Sequence, residues 1–539
     1  MEFLFFDKPA GVTTHLSEHE SETSRARWGF AEMLKFSLSS SQMKPQLFVA
    51  HRLDRDTTGA VVFAGTSADA EILRQLFTDH KVKKTYLFIT DRTARENTFM
   101  VQSWIERVGG NYISTEADPS GEIVTPNATT HFQLLETKDG LSLWQARPES
   151  GKPHQIRLHA SDSGIAILGD KVHGGASFPT LCLHSSSLDF SVNGKDFHHE
   201  CPAPIWFRDL SLVKNSLLIR WLSSIDRRER WMRSVGGEFD TIRMIHSEGD
   251  PLRMEKLGEV EWLNWFDDRN PTAAEMDLLR QLGRLVGWKK PFLQLRGKSQ
   301  VNGELEPPRA IFTESEPLPE RWRATESQLN FEFRSHSGLS PGLFLDQRQN
   351  RLWVRKHARG LKVLNLFCYT GGFSLAAAAG GAAKIVSVDL SKNFIEWAKV
   401  NFQLNHFGGE GVQPDSLQYE FRAMDSFEYL SWALKKGLRF DLVICDPPSF
   451  SRGKSGVFSI DKDFEKLIQA LIPVAESKAQ ILFSTNYEKW TETILIDRIR
   501  LLVKKNALPV EVSFTPEPDW DFELPGQARN MKSVILKKK

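Results

Sequence analysis

The sequence predicts a multi-domain protein in which an α+β domain precedes a doubly wound α/β domain. Three observations lead to this prediction. At 539 residues the chain is too long for one hydrophobic core. The first 212 residues contain short apolar runs broken by turns, and from about residue 361 strand-like and helix-like segments alternate. We expect domains over 1–212 and 311–539, with a small α+β accessory domain at 213–310 between them.

Composition and charge are those of an ordinary globular protein. The chain is 40% hydrophobic and 25% charged, and its formal net charge is +1. The first 212 residues hold 21 Lys and Arg against 26 Asp and Glu. Neither part of the chain is basic enough to indicate nucleic-acid binding by charge alone, so any RNA contact has to use local patches.

The cysteines and the start of the chain bear on its location. Cys182, Cys201, Cys368 and Cys445 form no C-x-x-C pair. Their spacing argues against a disulfide framework or a zinc module, and we expect a cytoplasmic protein without a metal site. The opening MEFLFFDKPAG predicts a strand and not a signal peptide, because it lacks a basic start and a longer apolar run. No run approaches the roughly 18 apolar residues of a membrane-spanning helix, so no membrane contact is expected.

Short strands dominate the first domain. The runs EFLFFD, QLFVAH, GAVVFA, KTYLFIT, HFQLLET and LSLWQAR predict strands, and ADAEILRQLF predicts a helix between them. This pattern predicts a mixed, mostly antiparallel sheet. The Pro- and Glu-rich stretch at 304–322 predicts a connection to the last domain.

Strands and helices alternate in the last domain. KVLNLFCY, KIVSVDL, FDLVICD and AQILFST predict strands, with helices such as SKNFIEWAKVNFQLN between them. Regular alternation predicts a parallel, Rossmann-like sheet whose ligands bind outside the carboxyl ends of the strands.

Glycines and acids follow these strands. An apolar strand runs into Thr370 and Gly371 before an Ala-rich helix, and glycines at such a turn let a ligand approach the backbone closely. Asp389, Asp425 and Asp446 each end a further predicted strand. The first of these acids is placed to take both ribose hydroxyls of an adenosine. Each acid taken alone could equally cap a helix.

These motifs resemble those of the class I S-adenosylmethionine-dependent methyltransferases. The resemblance implies S-adenosylmethionine as the cofactor, Asp389 as the ribose ligand and Asp425 as the adenine-side acid. It also implies that Asp-Pro-Pro-Ser-Phe at 446–450 is the substrate-facing loop. The implied cofactor set is Asn365, Phe367, Thr370, Gly371, Asp389, Leu390, Asp425, Ser426 and Asp446.

The substrate-facing loop suits a flat base. Phe450 can stack on such a base while the rigid Pro447 and Pro448 fix the loop. Methylation at C5 of a pyrimidine needs a cysteine nucleophile. Relatives that carry out this reaction have that cysteine in the strand after the loop, where this chain has Thr485 and Asn486.

Cys445 lies inside the preceding strand and is predicted to belong to the core. A purine N7 needs no thiol, because its lone pair is free and carries no proton, so positioning supplies most of the catalysis. Asp446 and Asn486 would then orient the base.

Longer stretches extend this resemblance over about residues 213–539. GLFLDQRQNR at 342–351, DPPSFSRGKS at 446–455 and FSTN at 483–486 resemble the guanine-N7 methyltransferase half of the RlmKL family of bacterial 23S rRNA methyltransferases. The closing LPGQARNMKSVIL agrees with it, and DRRERWMRS resembles the family's accessory region. The resemblance implies that the accessory domain contacts RNA.

The stretch HRLDRDTTG at 51–59 places four charged residues between two predicted strands. A solvated turn explains most such patterns, and a carboxylate held against a cation for nucleophilic chemistry is the alternative. The stretch resembles the H-R-L-D-x-x-T-S-G motif of the RluA family of pseudouridine synthases. DKPAG at 7–11, VKKTYLFIT at 82–90 and GKPHQIRLHASDSGIAILGD at 151–170 agree with that family in order.

The RluA resemblance covers about residues 1–212 and implies four catalytic residues. Asp54 would attack a flipped uridine, and Arg157 would pair with Asp54 and keep it ionised. Tyr86 would pack against the uracil, and Arg52 could fill the gap left by the flipped nucleotide. Three positions depart from the family pattern: Thr58 replaces a serine, Lys152 an arginine and Pro153 a threonine.

We therefore expect a bifunctional bacterial enzyme that acts on RNA, above all on 23S rRNA or a large-subunit precursor. Methyl transfer to cytosine C5 or to an exocyclic amine stays open, as does a non-catalytic, RNA-binding role of the second half in ribosome assembly. DNA is not an expected substrate, because pseudouridine synthesis uses uridine in RNA.

Overall fold

The computed structural model describes most of the chain. The described residues are 2–16, 29–39, 46–116, 125–237, 239–296, 308–312, 317–337, 340–407, 418–453, 456–514, 519–522 and 530–539. No helix within these ranges is both long and apolar enough to cross a membrane.

A ten-stranded mixed sheet forms the N-terminal part of the described chain. Its strands are β1 (Phe3–Lys8), β2 (Phe48–Val49), β3 (Thr58–Ala64), β4 (Lys83–Thr90), β5 (Thr98–Val108), β6 (Asn111–Thr115), β7 (Ala128–Lys138), β8 (Leu141–Pro148), β9 (Leu183–Val192) and β10 (Lys195–Glu200). The order is β1-β3-β9-β4-β8-β7-β5-β6, with β2 beside β3 and β10 beside β9. β3 and β9 run parallel, whereas their neighbours pair antiparallel, so the predicted mixed, mostly antiparallel sheet is confirmed.

Within the described residues, four helices accompany this sheet: α1 (Phe30–Ser39), α2 (Ser67–Thr78), α3 (Gln155–Asp162) and α4 (Ile205–Arg208). The run QLFVAH was expected to form a full strand, but only the two residues of β2 pair. After β2 the contact to β3 is made by a side chain: His51 Nε2 accepts the backbone N–H of Val62 at 3.0 Å. The chain therefore leaves the sheet before the polar turn begins.

Gly59 allows β3 and β9 to run side by side. Its φ is +109°, and a Cβ at this position would lie 2.1 Å from the carbonyl oxygen of Ser185 on β9. Beside it, the Thr58 hydroxyl lies 2.9 Å from His184 Nδ1, and His184 Nε2 lies 3.1 Å from the Cys201 carbonyl oxygen. Burial lowers the pKa of His184 to about 3, so the ring is neutral and joins the two polar groups.

The middle of the chain forms a five-stranded sheet in the order β11-β12-β13-β14-β15. Its elements are α5 (Ser216–Val235), β11 (Thr241–Ile245), β12 (Leu252–Leu257), β13 (Val260–Trp265), α6 (Ala273–Val286), β14 (Lys290–Leu295) and β15 (Arg309–Ala310), and the hairpin β16 (Arg321–Glu326) and β17 (Leu329–Arg334) follows. β15 lies inside the Pro- and Glu-rich stretch that was expected to be only a connection. The stretch supplies an edge strand because Phe292 and Leu293 of β14 pair with it.

The C-terminal part contains a seven-stranded sheet in the order β20-β19-β18-β21-β24-β26-β25. Its strands are β18 (Lys362–Leu366), β19 (Lys384–Asp389), β20 (Tyr419–Ala423), β21 (Phe440–Cys445), β24 (Ala475–Thr485), β25 (Val510–Phe514) and β26 (Lys532–Lys538), and the hairpin β22 (Phe450–Gly453) and β23 (Gly456–Ser459) lies outside it. Its helices are α7 (Arg348–His357), α8 (Gly372–Ala379), α9 (Lys392–Leu404), α10 (Ser426–Lys435), α11 (Ile460–Val474) and α12 (Glu492–Lys505).

The first five strands of this sheet are parallel, which confirms the Rossmann-like prediction. β26 runs antiparallel to β24 and was not predicted as a strand. Strands β19 and β20 are added on one side of β18, and β21 and β24 are added on its other side. Such a reversal of strand order, called a switch point, opens a crevice at the carboxyl ends of the strands.

Helix α5 packs into the cores of neighbouring parts of the chain. Its Trp231 is 1% exposed. The Trp231 ring lies 6.1 Å from Phe30 of α1 and 5.0 Å from Trp520, measured between ring centroids. Aromatic pairs at these distances add to the free energy gained by burial. The N-terminal sheet, α5 and the C-terminal segment therefore share one apolar core.

We expect Gly59→Ala to destabilise the N-terminal sheet more than Gly194→Ala. Both glycines have positive φ, so both variants carry the left-handed backbone cost of roughly 1–2 kcal/mol. Only at Gly59 does the new Cβ meet a neighbouring strand, which adds about 1–3 kcal/mol or more of overpacking. Guanidinium unfolding of the two full-length variants gives the comparison, and equal midpoints would contradict this account.

Two candidate active sites

The polar turn between β2 and β3 is divided between solvent and a cleft. Arg55 Nε and Asp56 Oδ1 lie 3.4 Å apart, and both side chains are about half exposed. Asp54, with its side chain 26% exposed, instead lines a cleft of about 630 Å³, and Arg52 lines the same cleft. The solvated-turn interpretation therefore applies to two of the four charges only.

Arg157 in the first turn of α3 joins two carboxylates. Its Nη1 donates to Asp54 Oδ2 at 3.1 Å, and its Nε and Nη2 donate to the two oxygens of Asp170 at 2.7 Å each. Asp170 is 1% exposed and also accepts the backbone N–H groups of Val172 and His173. Asp170 thus fixes the guanidinium, and the guanidinium places a positive charge beside Asp54.

Tyr86 of β4 lines the same cleft. Burial raises the pKa of Tyr86 to about 12, and the charge of Asp54 acts in the same direction. The phenol therefore keeps its proton near neutral pH and offers a flat ring and an O–H donor to a bound ligand. The structure brings Asp54, Arg157, Tyr86 and Arg52 together in one cleft.

Two further residues of this cleft were not singled out from the sequence. His154 has a φ of +57°; its Nδ1 lies 2.9 Å from His173 Nε2, and its Nε2 lies 4.0 Å from Asp54 Oδ2. Lys84 donates from Nζ to the Ser150 carbonyl oxygen at 2.6 Å, and burial lowers its pKa to about 8. Both lie inside stretches quoted for the RluA resemblance, which was the available signal.

The three departures from the RluA pattern leave this cleft intact. Thr58 keeps the hydroxyl that bonds His184. Lys152 and Pro153 line the cleft, and the Lys152 backbone N–H donates to Gln155 Oε1 at 3.0 Å.

Asp389 lies at the carboxyl end of β19, beside the switch point. Its Oδ2 accepts the Tyr369 backbone N–H and its Oδ1 accepts the Ser391 N–H, both at 2.9 Å. Burial raises the pKa of Asp389, and the two N–H donors oppose that shift. A carboxylate held in this way is oriented for a pair of neighbouring hydroxyls.

The turn after β18 has an unusual backbone. Phe367, Tyr369 and Gly371 have φ values of +55°, +50° and +80°. A Cβ on Gly371 would lie 2.8 Å from the Cβ of Ala398. The Thr370 hydroxyl donates to the Gly342 carbonyl oxygen. Gly371 is therefore required by the close packing of this turn against α9.

Asn365 does not face the crevice with its side chain. The residue is fully buried, and its Nδ2 donates to Ser374 Oγ at 2.9 Å, while Ser374 contacts Ser387. The sequence predicted that Asn365 binds the cofactor. Its side chain instead fastens β18 to α8 beneath the turn.

Asp425 caps α10. Its Oδ1 accepts the backbone N–H groups of Phe427 at 2.9 Å and Glu428 at 3.1 Å. Ser426 is buried behind this cap, and Leu390 is 45% exposed beside Asp389. The capping role left open for single acids therefore applies to Asp425, whose carboxylate still lies at the carboxyl edge of the sheet.

The loop after β21 is tied to the end of β24. Asp446 Oδ1 accepts from Ser484 Oγ at 2.7 Å, and Ser449 Oγ donates to Asn486 Oδ1 at 3.0 Å. Burial raises the pKa of Asp446. The other predicted loop residues differ in their exposure to solvent: Pro447 is buried, Pro448 is exposed, and Phe450 is 55% exposed. Residues 454–455 and 524–529 of the quoted stretches lie outside the described residues.

Cys445 is fully buried at the end of β21. Burial raises the pKa of its thiol well above the usual range, so the thiol stays protonated. The prediction that Cys445 belongs to the core is confirmed.

A second acid was missed beside Asp446. Gln347 Nε2 donates to Ser484 Oγ at 3.1 Å, which places the segment 345–347 against the Asp446 loop. In this segment Asp346 Oδ1 is buried without a hydrogen-bond partner among the described residues, and burial raises the Asp346 pKa to about 6. The quoted stretch GLFLDQRQNR contained both residues, but its pattern alone did not assign them a role.

Two protein families match this chain in the places that these sites occupy. Residues 2–162 match the family described as RNA pseudouridylate synthase, and residues 277–497 match the family described as S-adenosylmethionine-dependent methyltransferase. The chain joins a pseudouridine synthase domain to a methyltransferase domain. The Asp54 cleft lies in the first domain, and the crevice at Asp389 lies in the second.

Relatives of the methyltransferase domain are ribosomal RNA enzymes by name. Ribosomal RNA large subunit methyltransferase K of Neisseria meningitidis serogroup B is 42% identical over 240 residues, which are 44% of this chain and 64% of that protein. Ribosomal RNA large subunit methyltransferase K/L of Shewanella sp. (strain MR-4) is 37% identical over 199 residues, which are 36% of this chain and 27% of that protein. The chain therefore covers less than two thirds of either relative.

Solved structures show the same fold in the second part of the chain. A Streptococcus mutans protein described as an S-adenosylmethionine-dependent methyltransferase matches with a TM-score of 0.50 and 22% sequence identity. The match covers 66% of this chain and 88% of that protein's chain. A methyltransferase complexed with SAH, SMU.776, gives the same TM-score and coverage at 24% identity.

The methyltransferase domain uses S-adenosylmethionine, and its crevice fits this cofactor. Asp389 presents a half-buried carboxylate oriented by two backbone N–H groups, and the turn through Gly371 lies beside it, since the Tyr369 N–H is one of those donors. Both lie at the switch point, where a nucleoside ligand binds in sheets of this type.

We expect Asp170→Asn to lower pseudouridine formation by about 10²-fold, because Arg157 loses its fixed anionic partner and Asp54 loses an ordered cation. Asp56→Asn is the matched control: its carboxylate pairs with Arg55 at the surface, and the rate should stay within about twofold of the parent. Conversion of uridine in RNA, measured by nucleoside mass spectrometry, gives both rates. An unchanged rate in Asp170→Asn would show that the contact between Asp170 and Arg157 is dispensable.

We expect Cys445→Ala to retain methyl transfer within about threefold of the parent, because a buried thiol cannot serve as the attacking group. Single-turnover transfer from labelled S-adenosylmethionine measures the rate, with Asp446→Ala as the inactive comparison. Complete loss in Cys445→Ala, with the protein still folded, would establish a thiol mechanism.

Proposed function

We propose that this chain is a bifunctional ribosomal RNA-modifying enzyme. One site isomerises uridine to pseudouridine, and the other transfers a methyl group from S-adenosylmethionine to guanine N7, with 23S rRNA or a large-subunit precursor as substrate. The observation that carries the proposal is the Arg157-bound Asp54 in one cleft of a chain that also holds the Asp389 crevice. The names of the two relatives favour large-subunit rRNA over other RNA.

At the first site Asp54 is the reacting carboxylate. An Asp54 oxygen attacks C1′ of the flipped uridine and bonds to it as the N1–C1′ bond breaks. The freed uracil turns and its C5 bonds to C1′, while the bond between C1′ and Asp54 breaks and returns the carboxylate. C5 loses a proton and N1 gains one, so the reaction needs no cofactor. Arg157 holds Asp54 in place, Tyr86 packs on the uracil, and Arg52 takes the position of the flipped nucleotide in the stack.

At the second site the protein positions a base. S-adenosylmethionine, when bound, supplies a methyl group carried on a positively charged sulfur. Asp389 holds the ribose, with Asp425 at the adenine side. The Asp446 loop, with Phe450 and Asn486, orients the guanine so that its free N7 lone pair faces the methyl group. No base is needed there, because N7 carries no proton.

The remaining assignments follow from this scheme. The cofactor pocket is completed by Phe367, Thr370, Gly371, Leu390 and Ser426. The substrate loop is stiffened by Pro447 and Pro448. Asn365 is a positioning residue beneath the turn after β18. We keep the division into 1–212, 213–310 and 311–539, with RNA contact by the middle domain and action in the bacterial cytoplasm.

An exocyclic amine is the second candidate for the methylated atom. Such a nitrogen has to lose a proton, and Asp346 and Asp446 place two acids with raised pKa values at one side of the loop. Cytosine C5 is disfavoured because Cys445 is buried and protonated.

Nucleoside mass spectrometry tests the whole scheme. Unmodified 23S rRNA is incubated with the full-length protein and isotopically labelled S-adenosylmethionine. We expect labelled N7-methylguanosine together with new pseudouridine. A label on an exocyclic amine would show that this amine, and not guanine N7, is the methylated atom. Absence of label with intact cofactor binding would favour the RNA-binding role in ribosome assembly.

We expect Asp389→Ala to weaken S-adenosylmethionine binding by about 10–100-fold, the value of a charged hydrogen bond of roughly 1.5–3 kcal/mol. Asp441→Ala is the matched control, because Asp441 lies at the opposite end of the sheet and accepts the Lys362 backbone N–H. Isothermal calorimetry measures both affinities. Unchanged binding in Asp389→Ala would remove the ribose assignment.

A further inference from the structure

The strand that carries the DKPAG motif is covered by a helix from outside the pseudouridine synthase match. β1 is an edge strand, paired on one side with β3. On its other side lies α5, residues 216–235, beyond the matched residues 2–162. Ser234 of α5 accepts the backbone N–H of Asp7 at 3.2 Å and donates to the Asp7 carbonyl oxygen at 3.1 Å. The helix therefore satisfies the backbone N–H and C=O of Asp7 at the end of this edge.

Two arginines of α5 bind the Asp7 side chain. Arg230 Nη1 donates to Asp7 Oδ1, and Arg233 donates from Nε and Nη2 to Oδ2 at 3.1 and 3.0 Å. Arg230 is fully buried, and its other N–H groups bind Asp226 and the Pro202 carbonyl oxygen. A buried carboxylate in such a set of donors has one position. Removing either arginine leaves one oxygen of this carboxylate without its arginine donor.

The next residue along β1 holds the catalytic turn. Successive side chains of a strand point to opposite sides, so Lys8 points away from Asp7. Lys8 is fully buried, and its Nζ donates to three carbonyl oxygens: Pro9 at 3.0 Å, Arg55 at 2.9 Å and Thr57 at 2.9 Å. Two of these carbonyls lie within three residues of Asp54.

The segment after Lys8 holds the same turn. The Gly11 N–H donates to the Arg55 carbonyl oxygen at 3.0 Å. Thr14 Oγ1 donates to the Leu53 carbonyl oxygen and accepts the Leu53 N–H, at 3.1 and 3.0 Å. The backbone on both sides of Asp54 is therefore anchored to residues 8–14, whose strand end is anchored in turn to α5.

We propose that Arg230 and Arg233 are positioning residues for pseudouridine synthesis, acting through Asp7 and Lys8 on the turn that carries Asp54. The pseudouridine synthase site is thus completed by the next part of the chain. The proposal rests on Asp54 being the reacting carboxylate. Loss of either arginine lets the end of β1 shift. Lys8 then no longer holds its hydrogen bonds to the Arg55 and Thr57 carbonyl oxygens, and Asp54 moves relative to Arg157.

The test uses full-length variants and the second activity as an internal control. Arg230→Gln and Arg233→Gln should each lower kcat for pseudouridine formation by about tenfold or more, because a small displacement of a reacting group has a large effect. KM for RNA and the methyl-transfer rate should stay unchanged. Arg230→Lys should recover part of the kcat, since it restores a cation beside Asp7. Arg220→Gln, an exposed arginine on the same helix, should behave as the parent.

Two further measurements separate positioning from a general structural role. Hydrogen exchange should become faster at residues 51–58 in Arg230→Gln and stay unchanged at residues 384–404. In a double-mutant cycle, Asp7→Asn combined with Arg230→Gln should be no worse than the more damaging single variant, because both act through one contact.

A pseudouridine kcat within about twofold of the parent in both Arg230→Gln and Arg233→Gln would overturn the proposal. A parallel loss of both activities, or exchange that rises across the whole chain, would overturn it equally, since the role would then be general folding. A parent enzyme that forms no pseudouridine at all would instead count against the proposed function.

Discussion

Buried guanidinium groups, each bound to several acceptors, join distant segments in both parts of the chain that hold the candidate sites. Taking such an ion out of water costs several kcal/mol unless the surrounding acceptors are complete. Arg157 meets this requirement with Asp54 and Asp170, and Arg230 meets it with Asp7, Asp226 and a carbonyl oxygen. Arg348, 4% exposed, binds Asp519, Asp521 and the Thr241 carbonyl oxygen. Each arginine joins segments that are far apart in sequence, so the position of each carboxylate is set by tertiary structure and not by its own loop.

The two sites use different means to place an acid. In the methyltransferase domain the parallel strands bring Asp389, Asp425 and Asp446 to one edge, and backbone N–H groups or a hydroxyl orient each of them. In the pseudouridine synthase domain Asp54 lies on an irregular turn, and side chains hold it from both sides. An acid at a strand end needs few special contacts, because the sheet already fixes it. An acid on a turn needs an arginine and an anchored backbone, which explains why so many polar contacts converge near Asp54.

Much of this arrangement could be predicted from the sequence, because local patterns determine it. The apolar runs of β3, β4, β8, β18 and β19 were predicted, and the residues Asp54, Tyr86 and Arg157 share a cleft. Turn chemistry alone could not separate Asp54 from its neighbours Arg55 and Asp56, because burial of a turn residue depends on what packs over it. The resemblance to the RluA family singled out Asp54. β15 and β26 were missed because their partners lie elsewhere in the chain. The inward direction of Asn365 and the orphan oxygen of Asp346 are equally tertiary facts.

The contact between Asp7 and Arg230 spans 223 residues of sequence. Because a ribosome adds about 5–20 residues per second, roughly ten to forty seconds separate the synthesis of β1 from that of the helix that covers it. During that interval the first strand has a bare edge and an acidic residue whose partners do not yet exist. The order of translation therefore leaves the end of β1 uncovered until α5 has been synthesised.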